Sequence, residues 1–174
     1  QYIQDEKMLY HCYASEAVLR ATARKLGRDE DKWGIAGLLH DIDAEITDKD
    51  PQRHALEAIP ILREQGIEED ALDAIRMHNE EATGEPRTTE FQHALAAGET
   101  ITGLIYATAL VYPDKKLASV KPKSIRKRMK EKAFAASVNR DTIRECEQAG
   151  IPLDEFIDLS LNAMKEIDHQ IGLG

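Results

Sequence analysis

Apolar positions along the chain recur every three or four residues, and two-residue alternation is nearly absent. From Asp5 to Leu26 the positions 8, 12, 15, 19, 22 and 26 are apolar or small, which puts them on one helix face, and Gly27 supplies a stop. The same spacing predicts a second helix from about Asp29 to Leu39, its start favoured by three consecutive acids at the positive end of the helix dipole. A third is expected from Pro51, a favourable first-turn residue, to Gly66, and a fourth from about Glu68 to Asn79. Thr83-Gly84-Glu85-Pro86 predicts a loop. A long fifth helix should run from about Thr89 to Val111 and stop at Pro113. Lys121-Pro122-Lys123-Ser124 predicts a turn with Ser124 as N-cap. Shorter helices are expected over 124–137, 141–149 and 153–171. No repeat, low-complexity stretch or linker divides the 174 residues. The expectation is a compact all-α bundle of seven to eight helices forming a single domain over 1–174.

Composition narrows the function classes. The chain is 42% hydrophobic and 32% charged, an ordinary globular balance. No segment approaches the roughly 18–20 uninterrupted apolar residues of a membrane span; the nearest, Thr100 to Tyr112, is short and interrupted by Thr and Gly. The net charge of −9 argues against general nucleic-acid binding. Between Asp114 and Lys132, however, nine basic residues face only two acidic ones, a strip that is either a solvated helix face or a local anion site. Two cysteines, Cys12 and Cys146, make no disulfide framework, and no basic-then-apolar leader is evident, so a cytoplasmic location is expected.

Candidate chemistry gathers on histidines. His11 lies on the inward stripe of the first helix, His54 in the first turn of the expected third, and His78 follows Ala71 and Ile75 at helical spacing. His40 ends the second helix and is followed directly by Asp41. One histidine on an apolar face is usually a hydrogen-bonded core residue. Four on four helices, with a carboxylate beside one, fit a divalent first-row metal, because neutral imidazole and ionised carboxylate are good ligands. The metal charge would also offset the cost of burying Asp41. Adjacent residues at a fraying helix end can aim at one point, which regular helix neighbours do not. Glu99 is a further candidate. It is an isolated carboxylate in the apolar stretch "ALAAGETITGLIYATAL", where it needs a metal, a buried ion pair or a notch open to solvent.

Taken in order, the segments "HCYASEAVLRATARKLG", "DKWGIAGLLHDID", "AIRMHNE", "AAGETITGLIYATALVYP" and "VKPKSIRKRMKEKAFAASVNRDTI" resemble the HD-domain phosphohydrolase superfamily. They are most similar to its small stand-alone bacterial members. The resemblance extends over about residues 5 to 170. It implies an HD-type helical bundle and a metal set of His11, His40, Asp41 and a distant aspartate. Anchored on Thr102-Gly103-Leu104-Ile105, that aspartate position is Glu99, one methylene longer. Dinuclear members carry further histidines, often an adjacent pair. His54 and His78 resemble two of these, but Asn79 stands where the second of the pair would be. The expectation is one divalent transition metal (Mn, Fe, Co, Ni or Zn) at His11, His40, Asp41 and Glu99, with room for a second held by Asp41, His54 and His78.

The activity so implied is metal-dependent hydrolysis of a phosphate monoester or nucleotide, with Asp41 orienting water and His54 and His78 supplying positive charge or a proton when they are not ligands. Lys123 and Lys127 are candidate phosphate contacts. Asp43 and Glu45 are either helpers around the site or ordinary caps and loop acids. The expected partner is a small phosphorylated substrate, with neither membrane nor general nucleic-acid binding, and a homo-oligomer is allowed. The rival reading is a catalytically impaired HD-fold module that binds a nucleotide or a protein, motivated by Glu99 and Asn79. A cyclic-dinucleotide phosphodiesterase is disfavoured by the lack of a glycine-tyrosine-proline extension after the doublet.

Overall fold

A computed structural model describes all residues 1–174. Nine α-helices and two short 3₁₀ turns make up the regular structure, and no strand forms. The helices are α1 (Glu6–Leu26), α2 (Glu30–Leu39), α3 (Ala58–Glu64), α4 (Glu69–Met77), α5 (Glu80–Thr83), α6 (Glu90–Leu110), α7 (Pro122–Lys130), α8 (Arg140–Arg144) and α9 (Leu153–Lys165). The expected all-α bundle is therefore what forms, with α5 as an extra turn of helix just ahead of the predicted loop.

The best-defined helices are those with strong end signals. Asp5 accepts the Met8 N–H at the start of α1, and Gly27 closes it in the left-handed conformation. Asp29 caps α2 in the same way. Thr89 and Gln92 form a reciprocal capping box at the start of α6. Ser124 does not act as the N-cap of α7: Pro122 occupies the first turn and Lys121 precedes it, because proline needs no N–H partner there.

Two apolar cores flank α1 and α6. The larger joins Val18, Ile101, Leu104 and Ile105 to Ile125, Phe156, Ile157 and Leu161. The smaller joins Leu19, Trp33, Leu62, Leu72, Ile75 and Leu95, with Trp33 stacked on Phe91 at 4.6 Å between ring centres. Where α2 crosses α1 the backbones come very close. A Cβ on Gly37 would sit 2.7 Å from the Ser15 carbonyl oxygen. This glycine sets the spacing that brings the end of α2 beside His11.

The third helix departs most from expectation. Residues 51–57 form successive turns, and α3 begins only at Ala58. The cause is Asp43, which is fully buried and accepts the Ala58 N–H at 3.0 Å, fixing the helix start from a distance. Ala55 adopts φ 74° on the way. His54 thus sits in a turn ahead of α3, not in its first helical turn.

Candidate metal centre

Five elements bring six side chains together. His11 comes from α1, His40 and Asp41 from the end of α2, His54 from the turns before α3, His78 from the C-cap of α4, and Glu99 from α6. After Leu39 the chain leaves the helix through a run of turns. His40 and Asp41 therefore point at one centre although adjacent in sequence. His40 is fully buried and Asp41 nearly so.

The hydrogen bonds at the outer nitrogens set the state of each ring. His40 Nδ1 meets the Gly37 carbonyl at 2.6 Å, and His78 Nδ1 meets the Ile75 carbonyl at 2.6 Å. His54 Nδ1 meets Asp43 Oδ1 at 2.8 Å. His11 Nδ1 lies 3.0 Å from the Thr102 hydroxyl, whose own proton goes to the Glu99 carbonyl at 2.7 Å. Each acceptor requires a proton on Nδ1. In the neutral rings all four Nε2 lone pairs then face inward.

They face two opposite edges of one carboxylate. Asp41 Oδ2 is 3.2 Å from His11 Nε2 and 3.3 Å from His40 Nε2. Asp41 Oδ1 is 3.0 Å from His54 Nε2 and 3.3 Å from His78 Nε2. Within each pair the two Nε2 atoms are 3.1 Å apart. Glu99 Oε2 joins the first side, 3.5 Å from His11 and 3.8 Å from His40, while its Oε1 accepts from Thr100.

Lone pairs confronting lone pairs and a carboxylate demand positive charge. Protons can supply part of it. Burial opposes a charged imidazole, but the hydrogen bonds the ring donates to Asp41 and Glu99 outweigh burial and push His11 up to about 10. Asp41 and Asp43 do the same for His54, also up to about 10. Burial likewise works against the Asp41 carboxylate, yet the surrounding histidines hold it well below its usual range. A divalent cation supplies the charge more completely. The donor atoms of His11, His40 and Glu99 all lie within 4.8 Å of one another, as do those of His40, Asp41 and His78. Imidazole nitrogen and carboxylate oxygen suit such ions, so the residues fit the group. Cys12, next to His11, belongs to neither of these groups, and burial pushes its thiol up to about 12.

A family model described as HD domain matches residues 8–128. The chain belongs to the HD domain family. HD domains are generally metal-dependent hydrolases, and the His/Asp/Glu groups above are compatible with binding a divalent metal. No curated protein and no solved structure matches the chain.

The HD cluster opens on a polar cleft of about 430 Å³, lined by His11, His78 and Glu99 on one side and by Asn79, Ser137, Asn139 and Thr142 around them. Lys123 and Lys127 are not there. Both are exposed on α7, and Lys127 pairs with Glu131 and borders a separate cleft beside Tyr112 and Ser124. The basic strip is a solvated face at these two positions, because α7 packs through Ile125 and Met129 and turns its lysines outward.

Three supporting residues carried weaker sequence signals. Thr102 orients His11, and its place three residues after Glu99 on one helix face was the available hint. Asp43 holds His54 and the start of α3 together, although on sequence alone it is indistinguishable from a loop acid. Asn79 donates to the Pro51 and His54 carbonyls at 2.8 and 2.9 Å, so it pins the turn that carries His54. His93 is engaged elsewhere, with Glu145 at 2.7 Å.

Proposed function

We propose that this HD domain hydrolyses a phosphate monoester or nucleotide with the help of divalent transition metal. The reading rests on one observation: four Nε2 atoms converge on the two oxygens of a single carboxylate. His11, His40, Asp41 and Glu99 would hold one ion. Asp41, His54 and His78 would hold a second, more weakly, because Asn79 adds no imidazole on that side. When bound, such ions acidify water and screen the charge on phosphoryl oxygens.

The chain's own groups do the positioning. Asp41 fixes the two lobes of the centre relative to each other through its two oxygens. Thr102 and Asp43 keep a proton on the outer nitrogens of His11 and His54, so their inner nitrogens stay available as bases or ligands. The polar cleft offers the hydroxyl and amide side chains of Ser137, Asn139 and Thr142 to a tetrahedral anion, with the acids Glu80 and Glu81 also on its wall, and phosphoryl transfer asks mainly for positioning and charge balance. Two buried, unpaired cysteines suit a reducing, cytoplasmic setting.

The test is metal analysis after purification without chelator, followed by a metal-supplemented screen against phosphate esters. Bound Mn, Fe, Co, Ni or Zn with ester hydrolysis that depends on it is expected, and His40→Ala should lose both. A protein that binds metal yet hydrolyses no ester would favour a binding module.

A further inference from the structure

The substrate's non-phosphate part can be read from a second cleft. Between α1 and α6 runs a channel of about 320 Å³ whose walls include Ala14, Tyr106, Ala107 and Leu110. It meets the polar cleft at two shared residues, His11 and Gly103. Gly103 lies inside a long helix, where glycine is unfavourable. A Cβ there would have only Val138 nearby, at 3.3 Å. The bare backbone keeps the junction of the two clefts low. Leu110, at the end of α6, is 45% exposed, a large apolar side chain left open to solvent beside the channel.

Apart from Lys7, exposed and without an ion pair, the channel has little to offer a polar group. The Thr102 hydroxyl is taken by His11 and the Glu99 carbonyl. The Tyr106 hydroxyl donates to the Ile171 carbonyl at 3.4 Å. Hydroxyls of a sugar, or the edges of a base, would lose water there without gaining partners. Carbon surface would gain by entering. Charge limits the other end. Arg87 in the polar cleft is committed to Glu145 at 2.5 and 2.7 Å, and Glu80 and Glu81 also line that cleft. A second or third phosphate would meet carboxylates.

We propose that the preferred substrate is a monophosphate ester of a hydrophobic alcohol, aryl or alkyl, with its carbon skeleton in the α1–α6 channel and its single phosphate at the histidine cluster. The proposal rests on the phosphohydrolase reading above. Hydrolysis would break the ester P–O bond, form a P–O bond to the oxygen of water, and leave the alcohol oxygen with one of the water protons.

Calorimetric titration of the Mn²⁺-loaded protein with methylphosphonate, 1-naphthylmethylphosphonate and octylphosphonate tests the channel without turnover. At least one of the two hydrophobic phosphonates should bind about tenfold or more tighter than methylphosphonate, as expected for burying a hydrocarbon group. Which of them binds tighter separates aryl from alkyl. Ala107→Phe fills the channel and Ala107→Glu charges it. Both should erase the preference while melting as cooperatively as the wild type, since Ala107 is only half-buried. Equal binding of all three phosphonates, no binding of any, or a preference that survives both variants would overturn the proposal. Parallel hydrolysis assays with 1-naphthyl phosphate, octyl phosphate, glycerol 3-phosphate and a nucleoside monophosphate separate the two readings. Turnover that favours the last two defeats the channel assignment alone. Hydrolysis of none, beside a retained phosphonate preference, defeats the phosphohydrolase reading and leaves the ligand class standing.

Discussion

At the scale of single residues, two hydrogen bonds behind the histidines divide the labour of the centre. Thr102 serves His11 on the Oδ2 side of Asp41, and Asp43 serves His54 on the Oδ1 side. Groups that orient ligating histidines typically change metal affinity by about 10–100-fold when removed. Thr102→Val should therefore weaken the tighter ion by about tenfold and leave the weaker one nearly unchanged. Asp43→Asn should do the reverse, and also loosen α3 through its hold on the Ala58 N–H. Metal titrations of the two variants check this, and a common loss of both ions in each variant would deny the division. Glu99 is the other informative position. Its Oε2 stands 3.5 Å or more from the histidines, farther than Asp41 stands from its partners. Glu99→Asp should keep metal-dependent hydrolysis, whereas complete loss of metal would mean that the longer arm is required.

At the scale of elements, the centre depends on how closely α1 and α2 cross. Gly37→Ala would place a Cβ 2.7 Å from the Ser15 carbonyl oxygen, which is backbone and cannot rotate away. Overpacking of this kind costs about 1–3 kcal/mol. The denaturation midpoint should fall accordingly, and metal affinity with it, because His11 and His40 are pushed apart. A variant that loses stability but keeps full metal affinity would show that the crossing does not set the site. Elements with local end signals were legible in the sequence. Asp5 and Gly27, Asp29, and Thr89 with Gln92 bound α1, α2 and α6 within a residue or so of expectation. The start of the third helix was not legible, since it is fixed by Asp43, fifteen residues upstream, and no local pattern announces a long-range cap. The same limit applies to the site. The inward faces of His11 and His78 and the isolation of Glu99 showed in helical spacing. The burial of Asp43 and the outward aim of Lys123 and Lys127 depend on packing between helices, which periodicity on one helix does not reveal.

At the scale of the whole molecule, the centre ties together α1, α2, α4 and α6, so its occupancy should be felt throughout the fold. Without metal, His11 and His54 are raised to about 10 in the folded chain, against about 6.5 in the unfolded one. Their protonation stabilises the metal-free fold fully below about pH 6.5, and that contribution is lost as pH rises to about 10. The chelator-treated protein should accordingly melt at progressively lower temperature over this interval. Metal needs the neutral rings and displaces their protons, so its affinity should rise with pH over the same range. Loaded protein should resist the alkaline loss through ligand linkage. A metal-free melting temperature that climbs between pH 6.5 and 10 would contradict this sign. The most direct test of the account is metal content in Asp41→Ala, because Asp41 alone faces all four histidines. Wild-type protein purified without chelator should carry at least one equivalent of a divalent transition metal, and the variant should carry essentially none while remaining folded by circular dichroism. Stoichiometric metal retained in Asp41→Ala would contradict it.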